Sequence, residues 1–178
     1  NHDTDAYFEM LRDALDMAAP GRPAPNGLNA TGRLYIQSNA RHLALADAQG
    51  EVVQFLLMPY PKASNYLRGQ NLNFSSPAEK HRALQEKFAQ VLDELQCTKV
   101  NPNWPTVLVS HIHVRGVRPH TLYRLSETED VMFEPGDIPT NYAYVAYGHI
   151  HSPGEVISGA EHIRYSGSIE RMDVAESK

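Results

Sequence analysis

Two short apolar runs in this sequence break off at a histidine, and in each case a second histidine follows two residues later. The first reads T-V-L-V-S-H-I-H and ends in His111 and His113; the second reads Y-V-A-Y-G-H-I-H and ends in His149 and His151. Short apolar runs of this kind fit buried β-strands. A strand that stops at a histidine holds the imidazole on a rigid mount beside a loop, which is where an α/β fold assembles its site. Gly148 lets the backbone approach or turn where a Cβ would obstruct it. Histidines at i and i+2 in extended chain share one face, so such a pair can serve one metal ion or two neighbouring ones. Imidazole suits Zn and also Mn and Fe. A single histidine so placed is most often a hydrogen-bonded structural group, and it is the repetition that points to metal. Spacing alone leaves open whether His111 or His113 is the ligand. His42, His81, His120 and His162 lack this setting and read as surface or structural residues.

The rest of the chain interleaves helices with strands. Tyr7, Phe8, Leu11, Leu15 and Ala18 recur at helical spacing, which predicts an amphipathic helix over 5–18. The stretch 20–32 carries too many Gly and Pro breakers for a regular element. Strands are expected at R-L-Y-I-Q, H-L-A-L-A-D and V-V-Q-F-L-L-M, with Ala48-Gln49-Gly50 turning between the last two. Ser76-Pro77-Ala78-Glu79 is a capping box with Pro at the first helical position. Leu84, Phe88, Val91, Leu92 and Leu95 then make one apolar stripe. Residues 116–141 read as a long connection between the two histidine-ending strands, and I-R-Y-S-G-S as a last strand and turn. The fold class is α/β, or α+β with layered sheets.

Composition narrows the partners. A formal charge of -5 gives no general basic field for nucleic acid or anionic membrane. Any grip on a polyanion has to be local, through bound metal or a patch such as Arg115, Arg118 and Arg124, which reads equally well as scattered charge on a solvated loop. Cys97 is the only cysteine, so an internal disulfide is excluded and a reducing compartment is expected. No apolar run reaches the length of a membrane span and no signal peptide is visible, which points to the cytoplasm.

The sequence begins N-H-D. With that triplet, a histidine after an apolar strand, and G-H-I-H, the chain resembles the ordered motifs of the calcineurin-like metallophosphoesterases. More narrowly, V-L-V-S-H-I-H-V-R-G, Y-V-A-Y-G-H-I-H and Y-S-G-S-I-E-R are similar to the SbcD-type DNA repair exonuclease subunit. The resemblance runs over essentially the whole chain. It implies a sandwich of two mixed sheets flanked by helices, and two divalent metal ions, Mn2+ first with Fe2+ or Mg2+ as alternatives. It makes Asn1, His111 and His149 ligands of one ion, His151 a ligand of the second, and His2 the catalytic imidazole acting on the scissile phosphate and its leaving oxygen. Asp3 falls on the last motif position and reads equally well as a helix-start residue. His113 has no counterpart ligand, so the resemblance favours His111 and expects His113 to point elsewhere.

The same resemblance implies partners and a boundary. DNA is the substrate, an SbcC-type SMC-like ATPase the partner, a homodimer the assembly and the nucleoid the place of work. The family's Asp-x-His and Gly-Asp-x-x-Asp motifs would precede Asn1, and a capping domain would follow the Tyr165–Ser168 turn. Residues 1–178 are then expected to be part of a nuclease domain, truncated at both ends and inactive alone. Two other readings share these motifs: a calcineurin-like phosphoesterase acting on nucleotides or phosphoproteins, and a catalytically inactive scaffold of the same fold.

Overall fold

From Val52 to Met58 and from Thr106 to His111, buried and half-buried residues alternate along the chain. Period-two burial places successive side chains on opposite faces of a sheet. The computed structural model of the chain describes residues 6–7, 10–11, 29–30, 35–69, 73–117 and 131–169. The strands in chain order are β1 (Asn29–Ala30), β2 (Arg41–Ala46), β3 (Val52–Met58), β4 (Thr106–His111), β5 (His113–Val114), β6 (Met132–Phe133), β7 (Tyr144–Gly148), β8 (Gly154–Glu155) and β9 (Ile163–Tyr165). Seven of them form one mixed sheet in the order β1-β2-β3-β4-β7-β9-β8, while β5 and β6 pair by themselves. Within the large sheet β3, β4, β7 and β9 are mutually parallel, β2 is antiparallel to β3 and parallel to β1, and β8 is antiparallel to β9. This is a mixed α/β fold. No described helix is long and apolar enough to cross a membrane.

The helix Pro77–Lys99 covers one face of the sheet. Its buried residues Leu84, Phe88 and Leu92 join Leu56, Met58, Leu108, Val145 and Tyr147 in one core cluster. Phe88 packs at 5.0 Å from the Phe133 ring and 5.6 Å from the Tyr66 ring, so the helix also gathers the strand β6 and the short helix Ala63–Tyr66. Burying side chains of this size contributes about 1.5–3 kcal/mol each. The opposite face carries Val53, Phe55, Leu57, Val107, Val109 and Ala146, all half-buried.

Fully buried Gln54 anchors the loop that enters β4. Its Oε1 accepts from Asn101 N at 3.0 Å, and its amide nitrogen lies 2.7 Å from Asn101 O, 3.0 Å from Trp104 O and 3.0 Å from Thr106 Oγ1. His42 meets the same Oε1 through Nε2 at 3.1 Å, and His162 meets Thr140 O at 3.1 Å, so both are structural.

Three expectations need correction. Tyr35, Ile36 and Gln37 are not strand. The edge of β2 is taken instead by β1, and because β1 runs parallel to β2 the chain has to return before β2 begins. The stretch expected to be all loop thus contains β1. The long connection contains β6 and a 3-10 turn at Pro135–Asp137, since β5 finds its partner there. Ala6, Tyr7, Met10 and Leu11 are helical, with Tyr7 and Met10 exposed; the remainder of the helix expected over 5–18 lies outside the described residues.

The capping box forms with one shift. Ser76 Oγ accepts from Glu79 N at 3.2 Å, while the Glu79 carboxylate reaches one residue further back, to Ser75 N and Ser75 Oγ, each at 2.6 Å. These bonds, the Ser75 hydroxyl first and its backbone N–H second, hold the Glu79 carboxyl below its ordinary range. A folded-state pKa below the unfolded one stabilises at neutral pH, and that contribution disappears as pH falls through the lowered value. Ser76→Ala is therefore expected to cost about 0.5–2 kcal/mol, measured by urea denaturation at pH 7. Glu79→Gln is expected to destabilise at pH 7 and to have no effect once pH lies below the Glu79 pKa.

Candidate functional site

The parallel strands β3, β4, β7 and β9 all end at the same edge of the sheet, where open α/β sheets place their ligands. His111 is the last residue of β4 and lies in register with Gly148, the last of β7. A Cβ on Gly148 would stand 2.8 Å from His111 Nδ1, so only glycine leaves room for the ring. His149 follows with φ of +95°. That left-handed conformation is uncommon outside glycine, costs on the order of 1–3 kcal/mol and is typical of functional turns. The His111 and His149 rings stand 5.2 Å apart at 84°.

His113 does not point elsewhere. It is 6% exposed, and its ring lies 5.5 Å from that of His149 at 39°. The two histidines flank a change of sheet. The chain leaves β4 at His111 and enters β5 at His113. The Tyr165 hydroxyl fixes that switch, donating to Ile112 O and accepting from Val114 N, both at 2.9 Å. Both imidazoles flanking Ile112 lie beside His149, as residues two apart on one face do.

Tyr60, two residues past β3, was not signalled by the sequence reading. Its ring stacks on His149 at 5.8 Å and meets His111 edge-on at 6.1 Å. The signal available was a third strand reaching the same edge and continuing as Pro59-Tyr60. His151 is exposed, and its carbonyl accepts from Ser168 N at 2.9 Å. Gly167 makes that contact feasible, since a Cβ there would lie 2.9 Å from the same oxygen. Asn1, His2 and Asp3 lie outside the described residues. Arg115 is engaged by Glu134 through Nε at 2.7 Å, while Arg118 and Arg124 are outside the described residues.

Two imidazoles bound to one ion through nitrogens about 2.1 Å away have ring centroids roughly 5 Å apart. The pair His111–His149 has that spacing. Ser110 Oγ, on the opposite face of β4 from His111, and Ser168 Oγ are buried without hydrogen-bond partners. Among the described residues no three His, Cys, Asp or Glu side chains are grouped to hold a metal ion. The donor chemistry of the pair fits a divalent metal, with the rest of the ligand set to be supplied by other groups. A pocket of about 400 Å3 opens beside His111 and Gly148, floored by Leu57, Val109 and Ala146. No protein-family model matches the chain, and no curated protein matches it.

Tyr165→Phe leaves the Ile112 carbonyl and the Val114 N–H buried without their partner. It is expected to destabilise by about 1–3 kcal/mol, read from the urea midpoint. Gly148→Ala is expected to displace the His111 imidazole, seen as a change in its ring resonances in long-range 1H–15N spectra. Ala146→Gly, on the same strand and face, is expected to leave those resonances in place.

Proposed function

We propose that these residues belong to a two-metal phosphodiesterase of the calcineurin-like metallophosphoesterase class, and within it to the nuclease subunit of an SbcCD-like complex acting on DNA ends and hairpins. The observation that carries the reading is the meeting of His111 and His149 at the ends of adjacent parallel strands, in a chain whose motifs follow the family's order. The half-buried apolar face of Phe55, Leu57, Val107 and Val109 supports the finer fold reading. A sheet apolar on both faces is built to be covered on both, as in a two-sheet sandwich.

In this reading His111 and His149 hold one ion together with Asn1, and His151 contributes to the second. Two divalent ions, Mn2+ with Fe2+ or Mg2+ as alternatives, supply charge neutralisation at the phosphate and a water of lowered pKa when bound. The work of the protein's own groups is orientation and proton transfer. Gly148 leaves room for the His111 ring, the Tyr165 hydroxyl anchors the backbone beyond it at Ile112 and Val114, and Tyr60 walls the pair. The His2 imidazole stabilises the developing phosphate charge or protonates the leaving 3′-oxygen. DNA is held locally, since the net charge of -5 offers no general attraction. The partner is an SbcC-type SMC-like ATPase, the subunit pairs as a homodimer, and the complex works on the nucleoid in the cytoplasm.

Separating metal binding from chemistry tests this in the intact protein. His2→Ala is expected to keep normal Mn2+ affinity and to lose nuclease activity by about 10²–10⁴. His149→Ala is expected to weaken Mn2+ binding, with activity partly rescued by excess Mn2+. Calorimetric metal titration beside digestion of linear duplex DNA reads both. If His2→Ala loses metal as badly as His149→Ala, the role of His2 is wrong. If neither wild type nor variants bind Mn2+, the metal reading fails altogether.

A further inference from the structure

On the helix-covered side of the sheet lies a second cavity, of about 520 Å3, between the helix Pro77–Lys99 and the segment from Phe133 to Tyr142. That volume falls within the usual range for small-molecule sites. Its floor is apolar and aromatic: Phe88, Leu92, Leu108, Ile112, Phe133 and Tyr147 are all buried. Its mouth carries Glu86 and Asp93 on the helix and Asp137 across from them, all exposed. Among the described lining residues there is no Lys, Arg or His to balance these carboxylates.

Two neutral polar groups of the lining are engaged within the protein. Tyr142 O–H donates to Gln96 Oε1 at 2.7 Å, and Gln85 Nε2 donates to the Met132 carbonyl at 2.5 Å. Burial first, and Asp93 second, push the Tyr142 hydroxyl up to about 12, so it stays a donor at neutral pH. The charge the cavity offers an incoming molecule is negative and stands above an aromatic floor, with the amides of Gln85 and Gln96 beside it. A flat apolar body that carries a positive charge matches that lining.

We infer that this cavity is a binding site for a small amphipathic cation, an aromatic ring bearing a protonated amine or amidinium, with the ring on Phe88, Phe133 and Tyr147 and the cation at Glu86, Asp93 and Asp137. Aromatic faces attract cations as well as rings, which adds to the charge preference. The site is distinct from the histidine cluster in residues and chemistry, and the inference is independent of the nuclease reading.

Tryptamine, 3-methylindole and indole-3-acetate share one ring and differ in charge, so they serve as probes, followed by 1H–15N chemical-shift titration of the 178-residue chain. Tryptamine is expected to bind saturably with shifts centred on Phe88, Phe133 and Tyr142, 3-methylindole more weakly, and indole-3-acetate not at all. Asp93→Asn with Asp137→Asn is expected to weaken tryptamine about three- to tenfold while leaving 3-methylindole unchanged. Ala89→Trp, at an exposed helix position on the cavity rim, is expected to abolish binding of both, with circular dichroism checking that the helix is intact. Should that variant fail to fold, the charge-removed pair carries the test. Equal binding of the three probes, tryptamine binding indifferent to the Asn pair, or shifts mapping away from the cavity would each overturn the inference.

Discussion

The hydroxyl of Tyr165 holds the edge of this sheet together. After His111 the backbone must leave β4 for the small β5–β6 pair, and the peptide groups at Ile112 and Val114 are buried where it does so. Buried backbone donors and acceptors require partners. One phenol supplies both, donating to Ile112 O and accepting from Val114 N. Tyr165 is itself the last residue of β9, which is paired with β7, so the bridge fastens the exit of one strand to the end of another. The two imidazoles on either side of Ile112 both lie beside His149.

The same edge also stores strain. His149 takes a left-handed φ directly after a glycine that must remain small for the sake of His111. The chain is held before it by Ser166 N on Tyr147 O and beyond it by Ser168 N on the His151 carbonyl. A turn held from both sides can impose a costly backbone angle on the residue between. Strain of this kind persists where the surroundings over-determine the conformation and where the side-chain direction matters. At His149 the direction matters because three rings, those of His111, His113 and Tyr60, pack around it.

Local chemistry was legible in the sequence; contacts between distant segments were not. The runs at Val52–Met58 and Thr106–His111 declared themselves through apolar content, and the long helix through Ser76, Pro77 and its Leu84–Phe88–Leu92 stripe. Pairing order was hidden. Nothing in R-L-Y-I-Q distinguishes an edge strand from a connection, because that depends on whether Asn29–Ala30 reaches β2 first. His113 was misjudged for a different reason. The i, i+2 spacing puts it on one face with His111, as the rings beside His149 show; it was the resemblance, which gives His113 no counterpart ligand, that sent it elsewhere. Tyr60 became a wall of the site only because β3 lies beside β4 in the sheet.

The two faces of the sheet bear on function differently. The face toward the long helix is closed by Leu56, Leu108, Val145 and Ile163, all essentially inaccessible. His111 belongs to the other face, in line with Val107 and Val109 on its own strand and in register with Gly148. Its imidazole therefore rises from the end of the half-buried apolar surface. Any layer that covers Phe55, Val107 and Val109 ends beside His111, so the same packing that buries the apolar face brings that layer's polar termini to the imidazoles. On the proposed reading, completing the core and completing the coordination sphere are one structural problem, and a metal site at the rim between two covering layers suits this surface better than one built on a single sheet.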